Sequence, residues 1–198
     1  IFIAYLNVPP FIATLAMMEI VYGIGLIVTN ATPLGGYVEA YTNVANKKFL
    51  GINYLIWIAI IVAAITWFIF NMTRHGKYMY AIGGNPQAAE VAGVPVKATM
   101  ILIYMKAAAM YGLAGFMLGA KAGGASVNLG YGYEMEAIAA CTIGGVSVTG
   151  GRGKVSSAII GVAVFELLKA ALQYLGVDAN AQYIAIGVVI FIAISLDI

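Results

Sequence analysis

From Ile52 to Met72 the chain runs without a charge, apolar or aromatic except for Asn53, Thr66 and Asn71. An α-helix needs about 20 such residues to cross a hydrocarbon core about 30 Å thick. Four more segments follow the same rule. Pro10 to Thr29 holds only Glu19, Ala98 to Ala120 only Lys106, and Val155 to Leu175 only Glu166 and Lys169. Gln182 to Leu196 is shorter and stops at Asp197. A soluble domain cannot cover so much apolar surface when charged residues are 9% of its 198 positions, against about 25% in ordinary globular proteins. At 63% hydrophobic the chain is also far from a disordered composition.

A sixth segment has another character. Ala137 to Thr149 is apolar but too short to span, Gly144-Gly145 interrupts it, and Gly150-Gly151-Arg152-Gly153 follows. Such a pattern predicts a short, broken helix. Broken backbone is tolerated at membrane depth only where protein or a watery cavity covers it, so this segment belongs inside the bundle. The expected fold is therefore all-α: a polytopic helical membrane protein with about five full transmembrane helices plus one short broken helix. Residues 1–198 form one transmembrane region. The chain opens on Ile1, within an apolar stretch, and reads as part of a longer membrane protein.

Basic residues orient the spans, because cytoplasmic loops are enriched in Lys and Arg. With Thr73 to Lys97 inside and the short segment crossing, Arg74, Lys77, Lys97, Arg152 and Lys154 are cytoplasmic, against Lys47, Lys48 and Lys121 outside. The loops Ala31 to Gly51 and Lys121 to Glu136 then face outward. A re-entrant short segment reverses the bias, which favours the crossing arrangement.

Catalytic and nucleotide-binding patterns are missing. The run Gly150-Gly151-Arg152-Gly153-Lys154-Val155 has Val148 where a phosphate loop needs its first glycine and Val155 where it needs Ser or Thr. One histidine, His75, and one cysteine, Cys141, make neither a metal cluster nor an internal disulfide. A net charge of +2 is too small for a nucleic-acid surface.

The loop Thr73 to Lys97 contains a legible helix. Asn85 is a good N-cap, Pro86 suits the first helical position, and Gly93 suits the left-handed residue beyond the end. That spacing predicts a helix of about seven residues and some 10 Å. Alone it is unstable, so it needs packing partners. Its exposed face is expected to be Ala88, Ala89, Val91 and Ala92. It is either a connecting turn lying on its own bundle or a docking helix for a cytoplasmic partner.

Here the chain resembles a family. Thr73-Arg74-His75-Gly76-Lys77-Tyr78 through Gly93-Val94-Pro95-Val96-Lys97 is similar to the matching loop of sugar-importing ABC transporter permeases, the ribose and galactose group. Asn128-Leu129-Gly130-Tyr131, Tyr133-Glu134-Met135-Glu136-Ala137 and Gly144-Gly145-Val146-Ser147 resemble the same family, as does Val8-Pro9-Pro10-Phe11. The likeness is greatest to the galactose/methyl galactoside members and covers essentially the whole chain, about the C-terminal 60% of such a permease. It implies a multi-pass permease of the bacterial cytoplasmic (inner) membrane that pairs with a second permease copy. A cytoplasmic ABC ATPase carrying ATP and Mg would drive it, and a periplasmic or lipid-anchored sugar-binding protein would feed it. This chain would bind no cofactor and perform no catalysis.

The same resemblance implies two sets of site residues. The coupling loop, residues 73–97, would engage the ATPase through Arg74, Gly83, Gly84, Asn85, Pro86, Ala88, Ala89, Glu90 and Gly93. The substrate path would involve Tyr133, Glu134, Glu136, Thr142, Gly144, Gly145 and Ser147. Physical alternatives stand beside this. The glycines of the broken segment also permit close helix packing, and its hydroxyls can bond their own backbone. Glu134 and Glu136 can cap the short helix as readily as contact sugar. Glu166 and Lys169, three residues apart, are expected to pair on one helix face. Lys106 has no assigned partner.

Overall fold

The computed structural model describes residues 2–197, so Ile1 and Ile198 lie outside it. In chain order the elements are α1 (Phe2–Leu6), α2 (Pro10–Thr29), α3 (Glu39–Asn46), β1 (Lys48–Phe49), β2 (Ile52–Asn53), α4 (Tyr54–Met72), α5 (Arg74–Gly84), α6 (Pro86–Val91), α7 (Val96–Ala122), α8 (Tyr133–Ile143), α9 (Val155–Tyr174) and α10 (Ala179–Asp197). The protein is helical, as its long apolar segments predict. By length and composition, α2, α4, α7 and α9 can each cross a membrane; α10 carries a shorter apolar stretch, Asn180–Ile192. The chain is a multi-pass membrane protein. It divides into two compact units: Ile1–Ile65 with Val94–Tyr131, and Thr66–Gly93 with Gly132–Ile198.

In the first unit, α7 is the organising helix. Its 27 residues make about 40 Å of helix, and both α1 and α3 pack on it. Tyr41 on α3 donates to the Phe116 carbonyl over 2.8 Å, and the two rings meet edge to face at 4.8 Å. Gly119 makes that approach possible, since a Cβ there would lie 2.5 Å from the Tyr41 hydroxyl. Lys97 lies over the Tyr5 ring at 5.3 Å. The 31–51 connection is more structured than its polar composition suggests. It holds α3 and starts a hairpin in which Lys48 faces Asn53 and Phe49 faces Ile52, turning through left-handed Leu50 and Gly51.

The second unit is built on α8, α9 and α10, which pack on one another. Its core holds Ala139, Ala140, Phe165 and Ile186, with Phe165 only 1% exposed. Two glycines let α8 and α9 come close. A Cβ on Gly161 would overlap the Ala140 carbonyl, and one on Gly144 would overlap the Ser157 carbonyl. Left-handed Gly176 ends α9, with its amide and that of Val177 bonding to Gln173 and Leu172 carbonyls. Asp178 then accepts from the Asn180 amide at 2.9 Å and opens α10. That cap starts α10 three residues before the apolar run expected from Gln182.

The basic connection after α4 is also helical, contrary to its reading as a loop with one short helix. The Thr73 hydroxyl donates to the Ile69 carbonyl at 2.6 Å and accepts from the Gly76 amide at 3.1 Å. One side chain thus ends α4 and starts α5.

Gly161→Ala should cost about 1–3 kcal/mol, the usual penalty for overpacking a tight contact. Thermal unfolding of the full-length protein in detergent should show the midpoint falling by several degrees. An unchanged midpoint would disprove the close approach of α8 and α9.

Candidate functional site

The short helix expected after Asn85 is present as α6, six residues long. The Asn85 side chain accepts from the Ala88 amide at 2.9 Å, Pro86 occupies the first turn, and Gly93 takes φ +83°. One expectation about its surface is corrected. Ala89 is buried, 4% exposed, instead of sharing the outer face with Ala88 and Ala92. The single residue Asn85 separates α5 from α6 and the two pack together. One face of so short a helix must therefore turn inward, and Ala89 is on it. Val91 is 90% exposed, a large apolar side chain with no cover from its own chain. Arg74, Gly84, Asn85, Pro86, Ala88, Glu90 and Gly93 are also exposed, while Gly83 is half-buried.

The short broken helix is α8. It starts at Tyr133 and stops at Ile143, before Gly144. Eleven residues give about 16 Å, half a bilayer core. The chain continues without helix to Lys154. The end is well bonded: the Gly144, Gly145 and Val146 amides donate to Ala140, Thr142 and Cys141 carbonyls at 3.1, 2.8 and 3.0 Å. Gly145 takes φ +80°, a conformation open to glycine with little penalty. Beyond it the Ser147 amide reaches the Arg152 carbonyl at 3.1 Å, closing residues 147–152 into a compact loop.

The acidic residues sit differently from the capping arrangement expected. Because α8 begins at Tyr133, Glu134 and Glu136 lie inside its first turn, and Gly132 occupies the N-cap position without a side-chain bond. Carboxylates there still interact favourably with the helix dipole. Glu134 and Tyr133 are exposed. Glu136 forms an ion pair with Lys169 of α9, 2.7 Å from Oε2 to Nζ, both side chains 21% exposed. The expected Glu166–Lys169 pair is therefore replaced: Lys169 reaches across to α8, and Glu166 is exposed. Close packing of α8 on α9 brings Glu136 within reach, an advantage that spacing along one helix cannot reveal.

Two expected path hydroxyls have internal partners. Thr142 is buried and bonds the Ile138 carbonyl of its own helix, and Ser147 Oγ lies 2.8 Å from Thr149 Oγ1. Gly144 serves the helix contact, whereas a Cβ on Gly145 would meet nothing within 4 Å.

One junction escaped the reading of the residues. The end of α5 lies against the loop after α8. A Cβ on Gly83 would stand 2.5 Å from the Gly151 nitrogen, and one on Gly150 2.9 Å from the Gly83 oxygen. Tyr80 donates to the Gly153 carbonyl at 2.8 Å. Residues 74–93 and the broken helix thus belong to one compact unit. The sequence signal was two glycine pairs, Gly83-Gly84 and Gly150-Gly151, read separately.

Comparison with known proteins agrees with this architecture. A family described as branched-chain amino acid transport system / permease component matches residues 1–194. The galactose/methyl galactoside import permease protein of Haemophilus influenzae is 42% identical, over 98% of this chain and 60% of its own length. That of Escherichia coli K12 is 41% identical, over 98% and 60%. The ribose import permease protein of Bacillus subtilis is 37% identical, over 95% and 59%. The chain thus spans about 60% of these relatives' length. No solved structure matches.

The Glu136–Lys169 pair is open to a double-mutant cycle with Glu136→Gln and Lys169→Met. Each single change should lower stability by about 1–3 kcal/mol, with a coupling energy near 1 kcal/mol or more. Pairing Glu166→Gln with Lys169→Met should show at most about half of that. The reverse pattern in chemical denaturation would restore the pairing within α9.

Proposed function

The chain belongs to the branched-chain amino acid transport system / permease component family, and on that premise we propose that it is the membrane-embedded part of a sugar-importing ABC permease. The family description names amino acids. The similar proteins quoted above carry sugar names, and identity runs higher to the galactose/methyl galactoside permeases than to the ribose permeases. The cargo we propose is a monosaccharide, galactose or methyl galactoside, moved inward across the bacterial cytoplasmic membrane. Ribose is the second reading, supported by the 37% identity to the Bacillus subtilis protein.

The observation that carries the proposal is α6. It is a capped, six-residue helix with Val91 bare on its outside, followed by the membrane-length α7. Such a helix is too short to be stable alone, and its exposed apolar residue suits a groove on a partner. The partner proposed is a cytoplasmic ATPase subunit, which would hold ATP and Mg. A second permease copy would complete the pathway, and a periplasmic or lipid-anchored sugar-binding protein would deliver the cargo.

The transport step follows from differential binding. An ATPase that grips α6 more tightly in one nucleotide state shifts the permease toward one conformation, and only by that difference in affinity. The cargo meets α8 and the loop after it, where Gly145 leaves open space and Ser147 and Thr149 carry hydroxyls. Interrupted helices are a recurrent way to build such sites in transporters.

The test is Val91→Glu in the full-length permease, co-expressed with its ATPase. ATPase capture should fall by about tenfold or more, as for a central interface residue, while the permease still inserts. Undiminished capture would remove α6 from the interface.

A further inference from the structure

The end of α5, one residue before the docking helix, meets the loop after the broken helix in a contact of bare backbone on bare backbone. We infer that the contact between Gly83-Gly84 and Gly150-Gly151, latched by Tyr80, is the link that carries displacement of α6 to the end of α8. The inference rests on the reading of α6 as the ATPase-docking element.

Three observations carry it. First, the approach is closer than any side chain allows. A Cβ on Gly151 would lie 2.7 Å from the Gly84 nitrogen, and a Cβ on Gly83 2.5 Å from the Gly151 nitrogen. Backbones in direct contact cannot slide through rotamer changes as packed side chains do. A push on one is delivered to the other. Second, the contact is latched: Tyr80, one turn before Gly83 on α5, donates to the Gly153 carbonyl at 2.8 Å. The Tyr80 ring is in turn held edge-on by Phe70 near the end of α4, 5.8 Å between centres. Third, the loop that receives the push is closed on itself and tied to α8. The Ser147 amide bonds Arg152, the Val146 amide bonds Cys141, and a Cβ on Gly153 would stand 3.0 Å from Val146.

These contacts form an unbroken path. From α6 it runs through Asn85 to the end of α5. It crosses at the glycines into residues 147–152 and reaches the last turn of α8 through Cys141 and Thr142. All of it lies in the second compact unit. Tyr80, Gly150 and Gly151 are positioning residues in this scheme, since they act on the path through α8. Gly150 and Gly151 have φ of +100° and +72°, so glycine is required there for conformation as well as for space.

The experiment uses the full-length permease with its ATPase and binding protein in lipid vesicles, measuring sugar imported per ATP hydrolysed. Tyr80→Phe removes the latch and keeps the ring; Gly151→Ala wedges the contact; Gly176→Ala puts the same left-handed strain where nothing lies within 4 Å. Tyr80→Phe should capture the ATPase like wild type and hydrolyse ATP, yet import about fivefold less sugar per ATP, the worth of one hydrogen bond. Gly151→Ala should lose more, and Gly176→Ala should match wild type. Wild-type import per ATP in Tyr80→Phe would overturn the link. So would loss of ATPase capture in that variant, which would make the latch part of docking while leaving α6 as the docking helix. Failure of the docking reading itself shows separately, as unchanged capture in Val91→Glu.

Discussion

The end of α8 at Gly144 is the constraint on which the second unit depends. A helix that stops after eleven residues leaves carbonyls without helical partners, and hydrocarbon offers none. The chain answers with local bonds from Gly144, Gly145 and Val146 back into the last turn. It also buries that turn against α9. Gly144 and Gly161 set the distance, Ala139 and Ala140 close around Phe165, and Ile186 of α10 completes the cover. The Glu136–Lys169 pair stitches the other end of α8 to the same neighbour.

Burying the small residues of α8 also determines where charge can go. With two ionisable groups on α9 three residues apart, pairing along the helix would contribute about 0.5 kcal/mol or less. A part-buried bond between helices, made at 2.7 Å, is stronger because it is a short charge-assisted hydrogen bond that solvent screens less than an exposed pair. Glu136 therefore has a structural duty at the mouth of the segment proposed to line the path. Glu134, two residues earlier and exposed, is the carboxylate there with no such duty. The α6 side of the unit follows the opposite logic: little is buried beyond Ile82 and Ala89, and an apolar Val91 is left outward.

Much of this was legible in the residues because it is local. Long apolar runs with one or two charges located α2 and α9 to within a residue or two, and Asn85-Pro86 with Gly93 located α6 through capping chemistry that needs no tertiary partner. The shortness of α8 followed from Gly144-Gly145. What stayed hidden depends on neighbours. Nothing in the pattern of Arg74 to Gly84 says that Thr73 both ends one helix and begins another, so α5 passed for loop. Ala89 is chemically like Ala88, and only the packing of α5 on α6 separates their fates. Lys169 chose Glu136 over Glu166 because α9 lies against α8, thirty-three positions away in the chain. The meeting of Gly83 with Gly151 is likewise a long-range fact.

The proposal that energy comes from another chain is tested most directly by asking what drives uptake. Full-length permease would be reconstituted in vesicles with labelled galactose, its binding protein, and the ATPase subunit either present or omitted. Proton and sodium gradients would be imposed or collapsed independently. Uptake that needs the ATPase and ATP, and that ignores both gradients, is the predicted result. Accumulation driven by an ion gradient without the ATPase would contradict it.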